Sequence, residues 1–184
     1  PLYTVARAFQ PVSPFPFLFY PLAMSTPLTP RDILRPGIAG YIDPSHPSIA
    51  ETGEGELKVF RRAVNAAAIA VSGRITHFAP ADPGSYYAAT IKSPHGATEH
   101  ILCHAVFPYV AFVAPLAPFD LRFIDNPRLI PFFAPPLLIL PPTLLEAPLT
   151  IDDDTLKSLD KGTQSAIKCF KPRRLGDLIF NWYD

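Results

Sequence analysis

Twenty-four prolines in 184 residues set the tightest limit on what this chain can fold into. An ordinary protein carries about 5% proline. Each proline removes a backbone donor and biases the residue before it away from helix. The stretch 99–149, EHILCHAVFPYVAFVAPLAPFDLRFIDNPRLIPFFAPPLLILPPTLLEAPL, is nearly free of charge and densely punctuated by proline. Its prolines at 108, 115, 118, 127, 131, 135, 136, 141 and 142 leave apolar runs at 100–107, 109–114, 121–124, 129–133 and 137–140. Proline is tolerated at strand ends, edges and bulges but not in a central ladder. The expectation is therefore a core of short antiparallel strands joined by sharp corners. The run PPLLILPP reads as a buried strand, since it is too short to span a bilayer.

Upstream, 54–72 has the spacing of an amphipathic helix. Leu57, Phe60, Val64, Ala67 and Val71 form one apolar face, with Lys58, Arg61, Arg62 and Asn65 mostly off it. Gly73 is placed to be a left-handed C-terminal cap. Residues 74–80 and 86–92 are aromatic and β-branched, and they are bounded by turn residues, which predicts strands. The second should pair with 100–107 across the loop SPHGATE. After Thr150, Asp152, Asp153 and Asp154 precede Leu156, Leu159, Ile167 and Phe170, so a capped helix is expected, weakened or split at Gly162. Leu175, Leu178, Ile179 and Trp182 predict a last short helix docked by its tryptophan. Together these elements define an α+β single domain over 31–184. It is a short-stranded antiparallel sheet covered by one central helix and the C-terminal helices. Residues 1–30, rich in proline and phenylalanine, read as an N-terminal extension, and the sole methionine, Met24, falls within it.

Charge narrows the partners. Sixteen basic and sixteen acidic residues cancel, so nothing steers the whole chain toward nucleic acid or an anionic membrane surface. No run of apolar residues long enough to cross a bilayer is free of proline. The two cysteines, Cys103 and Cys169, form no CxxC pair, which favours a reduced, cytoplasmic setting and leaves one bridge between them open.

His100 and His104 are the leading candidates for chemistry. A spacing of four puts them on one face in a helix or a strand, where they are candidate zinc ligands with His77, His95 or Cys103 as a third. The sequence HILCH lacks the general base of HExxH, and ordinary polar histidines are the plainer interpretation. Cys103 with a histidine is a candidate nucleophile and base, although its neighbours Leu102, Ala105 and Val106 suit a core cysteine better. No GxGxxG, GxxxxGK[ST] or GxSxG occurs, so no cofactor is expected.

The opening Pro1-Leu2-Tyr3-Thr4-Val5 resembles the first strand of the tautomerase superfamily. That resemblance implies a free Pro1 amine acting as a base in an isomerase. It covers only these five residues, and Pro11, Pro14 and Pro16 stand where that family's long helix would begin.

Three functions follow, in order of preference. The first is a non-catalytic protein-binding or regulatory protein, immunity-like, using exposed aromatic and proline-rich segments to contact a protein partner. The second is a small enzyme or metal-binding protein built on His100 and His104. The third is a Pro1-dependent tautomerase-like isomerase.

Overall fold

The structure is a computed structural model that describes residues 28–40, 53–79, 84–115 and 120–182. Pro1, Met24 and most of the proline- and phenylalanine-rich segment lie outside the described residues, as does His46.

A short helix, α1 (Pro30–Ile33), leads to a turn, and the long helix α2 spans Gly53–Ala70. Four strands then run as an antiparallel meander: β1 (Arg74–Ala79), β2 (Tyr86–Lys92), β3 (Thr98–His104) and β4 (Tyr109–Val113). The β2–β3 hairpin turns at Gly96, whose φ of 84° suits a residue without Cβ.

Prolines cut the rest of the sheet short. β5 (Phe123–Ile124) pairs antiparallel with Phe112 and Val113, and β6 (Leu138–Ile139) pairs with Tyr109 and Val110. Both therefore share one edge of β4. The β6 pairing is parallel, which departs from the all-antiparallel expectation.

The cause lies in 129–133, which does not form the expected strand. It turns through a 3-10 segment, Ile130–Phe132, flanked by Pro127 and including Pro131. The Leu129 and Ile130 amides both donate to the Asn126 carbonyl (3.0 and 3.1 Å), which tightens the corner. The chain reverses there and returns along β4 in the same direction.

Alternation along the strands builds two cores. Ala89, Ile91, Ile101, Cys103, Val110 and Phe112 meet Phe60, Val64 and Ala67 of α2 on one face. Tyr86, Ala88, Leu102, Tyr109, Ala111 and Val113 point to the other, beneath α3 (Pro142–Leu145) and α6 (Leu175–Ile179). Such faces, each buried under helices, account for a fold that is α+β with a mostly antiparallel six-stranded sheet.

The C-terminal half is tied by polar clasps. Asp152 accepts from the Thr155 amide (2.7 Å) and caps α4 (Asp153–Ser158), as the acidic cluster predicts. The expected split is two residues early: Asp160, not Gly162, interrupts the helix by capping a new one, α5 (Lys161–Phe170), through the Thr163 amide (2.8 Å). Arg174 donates to Glu146 and Asp177 (2.6 Å each), joining the end of α3 to the start of α6. Trp182 is not the expected anchor. α6 ends at Ile179, and the Asn181 amide then donates to the Ser85 hydroxyl (2.8 Å), which fixes the chain before Trp182 is reached. Phe180, 2% exposed, fills the core instead, and Trp182 rests on Tyr86 at the rim, 42% exposed.

Candidate functional site

β3 places His100 and His104 on the same face, as their spacing requires, but not in the same place. Four residues of strand separate them by roughly 13 Å. His104 is fully buried, with its ring stacked on Phe107 (5.3 Å between centroids). Its Nδ1 accepts from the Val106 and Phe107 amides (3.1 and 3.0 Å), which fixes the tautomer. Nε2–H then donates to the Ile38 carbonyl (3.0 Å). Both ring nitrogens are thus committed. Burial pushes the ring's pKa down to about 4, the bond to Ile38 opposes that, and the nearby Arg35 charge adds to it. This neutral imidazole closes a corner of the fold and leaves no lone pair for a metal.

Instead of His104, His100 meets His77. The register aligns His77 with Thr90 and Thr90 with His100, so the three form a row across β1, β2 and β3. The Thr90 hydroxyl lies 3.2 Å from His100 Nδ1. Burial lowers the His100 pKa, Glu99 raises it, and His77 lowers it further. Among the described residues, no group of three or more His, Cys, Asp or Glu side chains is arranged to hold a metal ion. Cys103 points to the opposite face from His104, packed against the α2 core, and Cys169 lies exposed on α5. Both are thiols, so the bridge left open by the sequence does not form. Pro1 is outside the described residues.

The outer face of α2 is a different kind of feature. Ile69 is 79% exposed, the most exposed of the large apolar side chains among the described residues. It lies between exposed Ala66 and Ala70, where a solvated helix face would carry polar residues. Its neighbour Ala70 lines a groove of about 310 Å³, together with Val71 and Ser72 at the end of α2, Pro94 and His95 of the β2–β3 turn, Arg128 and Phe132. Ile130 is also exposed, at 41%. The groove is nearly neutral, because Arg128 donates to Glu99 (2.5 Å), which also accepts from Asn126 Nδ2 (2.6 Å).

Toward the start of α2 the same side of the helix is basic. Lys58, Arg61 and Arg62 are exposed, and Arg61 lies over the Phe78 ring at 4.9 Å. The arrangement offers an apolar centre with a cationic flank.

The sequence carried a signal for this surface. Ile69 falls off the stripe defined by Leu57, Phe60, Val64, Ala67 and Val71, so a β-branched apolar residue on the polar side marks the exposed patch. The groove had no such signal, because it is assembled from residues as distant as Ala70 and Phe132.

No family model, no curated protein and no solved structure matches this chain. Among the described residues, no helix is long and apolar enough to cross a membrane.

Proposed function

We propose that this chain is a non-catalytic protein-binding module, regulatory in the manner of an immunity protein, which docks a partner through the outer face of α2. The observation that carries this reading is Ile69, exposed at 79% next to Ala70, which lines a preformed groove. An apolar centre with a polar rim is the anatomy of a protein interface. A single exposed apolar side chain is ordinary on a protein surface, so the reading is supported by Ile69 together with the groove that opens at its neighbour Ala70. Two cysteines outside any CxxC pair favour a reducing compartment, so we place the interaction in the cytoplasm.

The experiment is site-specific photo-cross-linking. A cross-linking residue at Ala66 of the full chain, produced in its native cells, should give a discrete adduct with one other protein. The same residue at exposed Lys157 of α4 should not. Equal adducts at both positions, or none at Ala66, would contradict the reading.

A further inference from the structure

We infer that the partner presents an acidic amphipathic segment, with an apolar side chain that seats on Ile69 and enters the groove beside Ala70, and carboxylates that reach Lys58, Arg61 and Arg62 past the first turn of α2. This deepens the docking role proposed for that surface and rests on it.

The argument begins with where the charge lies. The whole chain is neutral, and the first turn of α2 carries Glu54 and Glu56, but beyond them no acidic residue occurs before Asp82, while Lys58, Arg61, Arg62 and Arg74 all do. The four cations are exposed. Among the described residues, none of the four forms a salt bridge. A local positive field on a neutral molecule selects a negative partner at that place without attracting anions generally.

The second step is polarity along the helix. α2 has no basic residue in its last turn, and its Ala67, Ala68 and Ile69 carbonyls already accept the Val71, Gly73 and Ser72 amides. A carboxylate on a segment lying along the helix finds its cations at Arg62 and Lys58 instead. Arg128, the cation at the groove, already holds Glu99. The groove therefore takes the apolar anchor, and Lys58, Arg61 and Arg62 take the charges. Arg62 lies two turns from Ile69, roughly 10 Å along the axis. A helical segment lying along α2 satisfies both with an anchor and a carboxylate seven residues apart.

The exposed Ile69 at the centre separates this surface from a nucleic-acid or anionic-membrane site. Phosphate-binding faces are polar and strongly cationic, and their proteins carry net positive charge. This chain carries none.

The test uses the full chain and synthetic helical peptides. One carries leucine with glutamate seven residues away. A second has lysine in place of glutamate, and a third has alanine in place of leucine. The glutamate peptide should shift the backbone amide resonances of Ala66, Ile69 and Ala70. It should bind about tenfold more tightly than the lysine or alanine peptide, and this preference should fade as salt is raised. Arg62→Glu, at an exposed position, should reverse the preference so that the lysine peptide becomes the better ligand. Equal binding of the glutamate and lysine peptides, or binding of none, overturns the proposal. So does binding of a single-stranded RNA oligonucleotide or of phosphatidylserine vesicles through the same amides. If the cross-linker at Ala66 captures a partner but the glutamate peptide does not bind, the docking surface stands and its charge assignment falls. If neither result appears, both fall.

Discussion

Neutral His104 makes stability depend on pH at the scale of a single residue. Its ring is held at a pKa of about 4, while an unfolded histidine sits near its ordinary 6.5. The unfolded chain therefore binds the extra proton first as pH falls, so protonation favours unfolding. The contribution is fully present above pH 6.5 and is lost as pH drops toward 4. The full span is worth about 3 kcal/mol. His104→Gln removes the titrating ring and one of its fixed bonds, so it should cost about 2–4 kcal/mol at pH 7. The difference between parent and variant should shrink as pH is lowered from 7 to 4, and denaturant unfolding at each pH measures it. A difference independent of pH would show that the ring is not held neutral. The sequence located His104 but not its role. Its partners are the Ile38 carbonyl and two amides just past the strand, and no spacing rule reports a backbone acceptor 66 residues away.

At the scale of elements, the end of α2 shows how a local pattern can be right about the place and wrong about the device. Gly73 does not take the left-handed conformation. Ser72 does, at φ 49°. The Gly73 amide donates to Ala68 (2.8 Å) and the Ser72 amide to Ile69 (3.0 Å), the paired bonds of a Schellman ending. Gly73 is needed for another reason: a Cβ there would lie 2.9 Å from Ile91 Cγ2 and 3.0 Å from the Lys92 carbonyl. The helix and β2 approach too closely for a side chain, and that approach is tertiary, so the sequence cannot reveal it. Ser72→Gly should therefore raise stability by about 0.5–1 kcal/mol by relieving the left-handed strain. Gly73→Ala should lower it by about 1–3 kcal/mol through overpacking. Thermal and denaturant unfolding of the two variants checks both signs, and a stabilising Gly73→Ala would contradict the close approach.

On the scale of the whole molecule, the sheet has two buried faces and one helix whose outer side, polar at Lys58, Arg61, Arg62 and Asn65, turns apolar at Ala66, Ile69 and Ala70. Strict alternation in β2, β3 and β4 made the sheet legible, because residues such as Ile101 and Leu102 can only face opposite ways. The parallel seat of β6 was not legible, since it depends on the corner at Asn126 rather than on anything within Leu138–Ile139. The candidate site was half legible. Ile69 stands out from its helix stripe, but the groove at its neighbour Ala70 exists only once α2, the hairpin turn and Phe132 meet. Phe60 and Ile69, on opposite sides of one helix, separate the packing of the fold from the proposed docking surface. Phe60→Ala, at a fully buried site, should cost about 3–5 kcal/mol. Ile69→Ala should stay within about 0.5 kcal/mol of the parent, since an exposed side chain has little packing to lose.

The docking role of α2 is tested most directly by the adduct formed from a cross-linker at Ala66 in the full chain, measured with and without Ile69→Asp. The account predicts one discrete adduct with another protein, abolished by Ile69→Asp while unfolding stability is unchanged. An adduct that forms equally well with aspartate at position 69 would contradict it.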